Sequence, residues 1–200
     1  MQNAIYEYGS GLYFNLTNKC PCQCAFCVRA GTQGLGSAGN LWLEEEPSAR
    51  QVIAQLEDMK LTGYTDVVFC GFGEPFCALD AMLEVCTYLK SRKGCPPVRV
   101  NTNGLGDLIS GRHTPPLLKG LVDVISISLN APTKERYAQL CRPAFGDGSF
   151  DAVLKFAREC KEFVPLVAFS VVDVLSPEEI AACEKIADGL GIPLRVRRFA

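Results

Sequence analysis

Short apolar runs alternate along this chain with longer stretches in which apolar residues recur at helical spacing. Six runs predict strands, at residues 11–17, 66–70, 98–102, 122–129, 166–174 and 194–199. The stretches between them predict helices, most clearly after Ser48 and Ser176, which each open a capping-box pattern. Strands that alternate with helices imply parallel βαβ units. The pattern therefore predicts an α/β fold with parallel strands.

Composition narrows the class of protein. With 200 residues, 48% hydrophobic and 21% charged, the chain is typical of one globular domain spanning residues 1–200. A net charge of −2 predicts no nucleic-acid footprint. No apolar run approaches the roughly 18 residues of a membrane span, and residues 1–7 lack the pattern of a signal peptide. We expect a cytoplasmic protein with no membrane partner.

Eleven cysteines are unusual for a chain of this kind. Their odd number argues against a disulfide scaffold, and a reducing compartment fits them better. Four fall within eight residues, in the stretch Cys20-Pro-Cys-Gln-Cys-Ala-Phe-Cys27 directly after the first predicted strand. Thiolates are ligands for iron–sulfur clusters and for zinc. Two interpretations compete: Cys20, Cys24 and Cys27 hold a cluster with one open iron, or all four cysteines close a structural zinc site.

Polar segments also follow the next strands. They are Gly71-Phe-Gly-Glu-Pro75, Asn101-Thr-Asn-Gly104 and Ser128-Leu-Asn-Ala-Pro132, with Ser170 on the fifth predicted strand. Ligands bind beyond the carboxyl ends of parallel strands. These groups should therefore lie together with the cysteine loop at that end of the sheet, which we call the mouth. Glycine lets a backbone approach a ligand closely, although a single Gly-x-Gly-Glu-Pro also describes an ordinary tight turn.

The Cys-x3-Cys-x2-Cys spacing, with Phe26 before its last cysteine, resembles the signature of the radical S-adenosylmethionine (radical SAM) superfamily. The segment from Gly71 to Pro75 resembles that family's Gly-Gly-Glu-Pro motif, with Phe72 in place of the second glycine. The resemblance covers nearly the whole chain and implies a partial (β/α)6 barrel, open on one side. It implies one 4Fe–4S cluster on Cys20, Cys24 and Cys27, with SAM at the open iron.

The resemblance also implies the residues that contact SAM. The candidates are Phe26, Gly71, Phe72, Gly73, Glu74, Ser128 and Asn130, with Thr102, Asn103 and Ser170 at neighbouring strand ends. Arg142 either pairs with the SAM carboxylate or lies on the surface.

In the family, an external one-electron reductant of the flavodoxin or ferredoxin type reduces the cluster. SAM then yields a 5′-deoxyadenosyl radical that abstracts hydrogen from a substrate. Here the substrate is not identified, and a small molecule or nucleoside is our first expectation. The alternatives are an activase or maturase of a partner protein, and a non-catalytic zinc or iron–sulfur module. The runs Asn-Leu-Thr-Asn, Cys-Gly-Phe-Gly-Glu-Pro and Ser-Leu-Asn-Ala-Pro are most similar to the small TatD-associated subgroup, and this resemblance implies an association with a TatD-type hydrolase.

The remaining candidate residues have plainer interpretations. Cys86, Cys160 and Cys183 fall on apolar helical stripes and are expected to be buried. Cys70, Cys77 and Cys141 are expected nearer the mouth, and the role of their thiols stays open. His113 lies in a loop and is expected to be solvated. Arg195 and Arg197 share one face of the last strand, directed either toward a substrate anion or toward solvent.

Overall fold

One sheet organises the molecule. The computed structural model describes residues 4–199, so residues 1–3 of the N-terminal stretch considered above, and Ala200, lie outside the described residues. The strands are β1 (Ile5–Tyr8), β2 (Gly11–Phe14), β3 (Val67–Phe69), β4 (Val98–Thr102), β5 (Val124–Ser128), β6 (Leu166–Val172) and β7 (Leu194–Arg197). They lie side by side in chain order, and every neighbouring pair from β2 to β7 is parallel.

Helices connect the parallel strands and cover the outer face of the sheet. They are α1 (Ala49–Leu56), α2 (Leu79–Ser91), α3 (Gly106–Ser110), α4 (Lys134–Cys141), α5 (Ser149–Cys160) and α6 (Pro177–Leu190). Both predicted capping boxes are present, with Ser48 at the start of α1 and Ser176 at the start of α6. In each, the serine side chain accepts from a backbone N–H that the helix itself leaves unpaired.

The two faces of the sheet differ in chemistry. On the outer face, Phe69, Val100 and Ile127 are fully buried among apolar residues of the surrounding shell. On the inner face, the alternate positions of β4 and β5 carry Arg99, Asn101 and two serines. The inner face therefore lines a polar lumen, while the core lies between the sheet and the helices.

The sheet does not close. Strands β1 and β7 are its two edges and do not pair with each other. The chain thus has the α/β fold expected, with an open and mostly parallel sheet consistent with the partial barrel of a radical SAM core.

Some local predictions were incomplete. The structure has seven strands rather than six, because β1 pairs antiparallel with β2 across the two-residue loop Gly9-Ser10. Gly9 has a φ of 60°, a conformation that favours glycine in tight hairpins. Helix α1 ends at Leu56 rather than near Gly63, so Met59 lies beyond it. The short helix α3 was not predicted.

Candidate functional site

The cysteine loop, residues 20–27, follows β2 and is held by the end of α4. The N–H groups of Gln23 and Ala25 donate to the carbonyls of Cys141 and Leu140, at 3.0 and 2.8 Å. In return, the Ala144 N–H donates to the Pro21 carbonyl at 2.9 Å. The last carbonyls of a helix have no partner within it. Here the cysteine loop supplies those partners, and helix α4 fixes the loop in place.

Arg29 fixes the same loop from the opposite end. Its guanidinium donates to the carbonyl oxygens of Asn18, Cys22 and Phe72, at 3.3, 3.3 and 3.5 Å. These three carbonyls belong to the segment before the loop, the loop itself and the Gly71–Pro75 turn. One charged side chain therefore ties together the segments that should surround the cofactors.

The sulfur atoms of Cys20 and Cys24 lie in surroundings that favour thiolates. The Cys22 thiol donates a hydrogen bond to Cys20 and lowers the pKa of Cys20 to about 7. The Cys141 thiol likewise donates to Cys24, which lowers the pKa of Cys24 to about 4. The pKa values of Cys22 and Cys141 are raised, first by these same contacts. The thiolate is the form that binds iron, so two of the three predicted ligands are favoured in that form.

Cys27 and Phe26 complete the loop, and both are half-buried. Burial raises the pKa of the Cys27 thiol. Among residues 4–199, no three cysteine sulfurs lie within 4.8 Å of one another. Four thiolates around one zinc ion would stand about 3.8 Å apart, given Zn–S bonds of about 2.3 Å. This wider spacing suits a cluster, whose ligands bind separate irons, better than a closed zinc site.

The glycines of the Gly71–Pro75 turn are required for close contact with residues 15–19, which join β2 to the cysteine loop. A Cβ atom on Gly71 would lie 2.0 Å from Oδ1 of Asn15, and one on Gly73 would lie 2.1 Å from the carbonyl oxygen of Thr17. Neither glycine has a positive φ. The close approach expected for a ligand is therefore also an approach of two protein segments.

Phe72, which stands in place of the second glycine of the motif that this turn resembles, has a packing role. Its ring is buried, packs with Tyr6 and Leu41, and meets Trp42 edge-on at 5.1 Å between ring centroids. It thereby anchors the glycine-rich segment of residues 30–41 against the N-terminal hairpin. The Phe72 side chain packs in this second, smaller apolar cluster, whereas Cys20, Cys24 and Phe26 pack against the main core.

Glu74, Thr102 and Asn103 form one buried network. The Glu74 carboxylate accepts from the Thr102 hydroxyl at 2.6 Å and from the Asn103 N–H at 2.8 Å. Desolvation raises the pKa of Glu74 to about 8. The Asn103 amide reaches the sulfurs of Cys20 and Cys22, at 4.0 and 3.8 Å. Glu74 and Thr102 therefore hold the strand ends together, whereas Asn103 faces the thiols directly.

Ser128, Asn130 and Ser170 lie on the other side of the mouth. Asn130 is buried with a φ of 59°, and its amide nitrogen donates to the Cys141 sulfur at 3.7 Å. Its Oδ1 atom is buried and has no hydrogen-bond partner in the described chain. Ser128 pairs laterally with Ser170 in the sheet. The structure thus brings all three residues to the mouth. Asn130 contacts Cys141, which in turn contacts Cys24 of the cysteine loop.

The remaining candidate residues lie either in the core or on the surface. Cys86, Cys160 and Cys183 are buried in the core as predicted. Arg142 is exposed at the end of α4 with a φ of 44°, the left-handed conformation that ends many helices. His113 is 56% exposed and lies 3.3 Å from a Glu159 oxygen on the outer shell of the barrel, as expected for a solvated loop.

Three residues important to the site were not among the predicted cofactor residues. Asn15 accepts from the Phe72 N–H and donates to the Leu41 carbonyl, Arg29 binds three carbonyls, and Cys141 contacts Cys24. Asn15 lies in the Asn-Leu-Thr-Asn run that supported the family resemblance. No local sequence signal indicates Arg29 or Cys141, because their partners are distant in the chain.

Comparison with known proteins agrees with this geometry. The sequence profile of the Radical SAM superfamily matches residues 14–186. The chain belongs to the radical SAM superfamily. That family uses a 4Fe–4S cluster and SAM, and the cysteine loop has the donor set for such a cluster.

Two curated relatives are RNA methyltransferases by name. The chain is 41% identical to the probable dual-specificity RNA methyltransferase RlmN of Chlorobium chlorochromatii (strain CaD3), over 36% of this chain and 19% of that protein. It is 29% identical to a probable RNA methyltransferase of Anaeromyxobacter sp. (strain Fw109-5), over 90% of this chain and 52% of that protein. The chain therefore spans about half or less of the length of these relatives.

Solved structures share the fold. A radical SAM methyltransferase from Sphaerobacter thermophilus superimposes with a TM-score of 0.56 at 19% identity, covering 97% of this chain and 68% of that one. HydG, a maturase of the FeFe hydrogenase, superimposes with a TM-score of 0.66 at 17% identity, covering 94% and 42%. At this identity the likeness establishes the fold alone. No helix among residues 4–199 is long and apolar enough to span a bilayer.

Proposed function

We propose that the chain is a radical SAM enzyme in which Cys20, Cys24 and Cys27 hold the 4Fe–4S cluster. The cluster and SAM held there would supply reductive SAM cleavage and hydrogen-atom abstraction, and the substrate under this proposal is a small molecule or a nucleoside-type compound. Under this proposal Cys22 is not a ligand, because it is only 3% exposed and its thiol serves as a donor to Cys20.

The observation that carries the proposal is the mutual bracing of the cysteine loop and the Gly71–Pro75 turn. The Glu74 N–H donates to the Lys19 carbonyl at 2.8 Å, directly before the first cysteine. Asn103, at the end of the next strand, directs its amide toward the Cys20 sulfur. The two motifs that define the family in sequence therefore meet at one mouth of the barrel.

The surrounding residues have distinct roles in the proposal. The backbone of Gly71 to Glu74 binds the cofactor's amino group, and Ser128 and Asn130 bind its ribose or carboxylate. Asn130 is well suited to a ribose hydroxyl, because its buried Oδ1 can accept a hydrogen bond and has no partner within the described residues. Thr102 acts through Glu74, since its hydroxyl is already committed to that carboxylate. Phe26 and Ser170 contribute contacts at the edge of the cofactor.

The experiment is a set of single alanine variants at the four loop cysteines, with anaerobic reconstitution of each. Cys20→Ala, Cys24→Ala and Cys27→Ala should lose the cluster's iron and absorbance, together with dithionite-driven formation of 5′-deoxyadenosine. Cys22→Ala is the matched control and should retain about four irons per chain. Equal loss in all four variants, or full activity with zinc alone, would contradict the assignment.

Methyl transfer to RNA is a second candidate function. It is favoured by the relative from Anaeromyxobacter, which aligns with 90% of this chain and is named an RNA methyltransferase. The net charge of −2 counts against a broad RNA-binding surface on these residues. Incubation with methyl-labelled SAM and total RNA separates the candidates, because only RNA methylation places label in the polymer.

The finer assignments rest on sequence motifs. The Asn-Leu-Thr-Asn and Ser-Leu-Asn-Ala-Pro runs support membership of the TatD-associated subgroup, and with it an association with a TatD-type hydrolase. A flavodoxin- or ferredoxin-type protein supplies the electron, in a cytoplasmic setting that suits eleven free thiols. A maturase acting on a partner protein would use the same site with a docked peptide as its substrate. Deuterium transfer from labelled substrate pools into 5′-deoxyadenosine would distinguish the substrate classes.

A further inference from the structure

The last strand, β7, carries two arginines on the lumen side of the sheet. Arg195 pairs laterally with Ser170, and Arg197 pairs with Val172. Side chains at laterally paired positions share a face. Phe169 and Val171, the intervening positions of β6, pack in the core outside the sheet, so Ser170 and Val172 face inward. Arg195 and Arg197 therefore face the lumen as well.

An electrostatic contact across the barrel agrees with this orientation. Arg197 lies near enough to Cys70, which follows β3 at the opposite side of the mouth, for each to influence the pKa of the other electrostatically. Three strands, β4 to β6, separate β3 from β7 in the sheet, so the two residues can approach each other only across the concave interior. Desolvation by the surrounding protein lowers the pKa of Arg197. The guanidinium thus lies on the lumen side of the open edge, where Arg195 and Arg197 both remain exposed to solvent.

The two arginines lack a protein counter-charge. Arg99, at the other end of the lumen, is neutralised by Asp66 at 2.9 Å and donates to the Tyr13 hydroxyl at 3.2 Å. Among residues 4–199, no carboxylate pairs with Arg195 or Arg197. Both guanidinium groups are exposed to solvent and have no carboxylate partner in the described chain, so their N–H donors are available to an anionic ligand.

Unpaired polar groups continue from the arginines toward the predicted cofactor residues. Ser128, Ser170 and Arg195 form one lateral row across β5, β6 and β7. Neither serine hydroxyl has a hydrogen-bond partner within the described part of the chain. Strands are about 4.8 Å apart, so the row spans about 10 Å. A ligand held at β7 would therefore lie beside the cofactor site, and not within it.

We propose that Arg195 and Arg197 bind an oxyanion of the substrate, a phosphate or a carboxylate, at the open edge of the barrel. This proposal rests on the proposed function, because it specifies the class of substrate that would bind at the same mouth. Two arginines at alternate positions of one strand are about 6.6 Å apart along it, a spacing over which both side chains can reach one oxyanion. The substrate is thus an anionic small molecule or nucleotide, oriented by its charged group.

The test uses the reconstituted full chain with SAM present and follows binding by calorimetry. The probes are ribose 5-phosphate, ribonate and uncharged ribose. The parent should bind at least one of the two anions and not ribose, and the preferred anion identifies the oxyanion. Arg197→Gln should weaken anion binding about tenfold or more, and Arg195→Gln/Arg197→Gln should abolish it. Arg50→Gln, an equal charge change on the exposed face of α1, should bind as the parent does.

Three results would overturn the inference: no anion binding by the parent, equal weakening in Arg50→Gln, or weakened SAM binding in the double variant. The last would make the arginines cofactor residues. Iron content and 5′-deoxyadenosine formation, measured on the same samples, test the proposed function separately. A parent that binds the anions but holds no cluster would refute that function while leaving the oxyanion site intact.

Discussion

The two halves of the mouth differ in how completely their polar groups are paired. On the side of β2 to β4, Asn15, Glu74 and Thr102 are buried, and their side chains are engaged in hydrogen bonds to neighbouring segments. The exceptions on that side are the Asn101 Oδ1 and Arg99 Nε atoms of β4, which have no partner in the described chain. On the side of β5 to β7, the Asn130 Oδ1 atom, the Ser170 hydroxyl and the Arg197 guanidinium have no hydrogen-bond partner among the described residues. Asn130 and Ser170 are buried, and buried polar groups are normally satisfied, whereas Arg197 is exposed to solvent.

This contrast separates scaffold from binding surface. The first half is already assembled, and it holds the cysteine loop whether or not a ligand is bound. Under the proposed function, SAM and substrate would satisfy the donors and acceptors that the second half leaves unpaired. Substitutions in the first half should therefore reduce stability, whereas substitutions in the second should reduce ligand affinity and leave stability nearly unchanged.

The largest effect is expected for Gly73→Ala. The new methyl group would lie 2.1 Å from the Thr17 carbonyl oxygen and 2.8 Å from that of Lys19, so backbone has to move. We expect a loss of about 3 kcal/mol or more in the free energy of unfolding, with loss of the cluster. Gly189→Ala is the control, because nothing lies within 4 Å of its Cβ position in α6. Urea unfolding should show it to be as stable as the parent or slightly more so; a stable Gly73→Ala protein would refute the packing argument.

Glu74→Ala should have the next largest effect. It leaves the Asn103 N–H and the Thr102 hydroxyl without their buried acceptor. The expected cost is about 2–3 kcal/mol in unfolding free energy. Glu84→Ala, at an exposed position of α2, should change stability by less than about 0.5 kcal/mol. Equal stabilities for the two variants would mean that the Glu74 network contributes nothing.

The pH dependence of stability tests the same network without removing it. Burial raises the folded-state pKa of Glu74 to about 8, from 4.5. The folded state therefore retains a proton that the unfolded state releases, and this contribution is present below about pH 4.5 and is lost by about pH 8. Cluster-free parent should lose stability relative to Glu74→Gln as pH rises through this window, by no more than about 1.4 kcal/mol per pH unit. Parallel stability curves would contradict the raised pKa.

The smallest effect on stability is expected for Ser170→Ala. The hydroxyl is buried and has no partner in the described chain, so its removal should change unfolding free energy by less than about 0.5 kcal/mol. SAM affinity should fall by up to about tenfold. Ser176→Ala is the contrasting control, because that exposed serine caps α6 and its loss should cost about 1 kcal/mol. The comparison fails if Ser170→Ala is the less stable of the two.

Much of this protein followed from local sequence patterns. Alternating and apolar runs located the six parallel strands, and the capping boxes at Ser48 and Ser176 located two helix starts, because both signals depend on neighbours within a few residues. The Cys-x3-Cys-x2-Cys spacing and the Gly71–Pro75 turn indicated the family. The rule that ligands bind at the carboxyl ends of parallel strands predicted which residues would meet at the mouth, although not what each side chain contacts.

Only the tertiary structure decided those contacts. Gly73 has to be glycine because the Thr17 carbonyl, 56 residues earlier in the chain, occupies the space of a side chain. Phe72 packs against the glycine-rich segment, and Cys141 lies beside Cys24. Curvature of the sheet brings β7 toward Cys70. The position of Arg197 relative to Cys70 therefore depends on how strongly the sheet curves. Such relations join residues far apart in sequence, and no local pattern encodes them. Periodicity records which face of an element is apolar, whereas pairing of polar groups depends on how the elements pack.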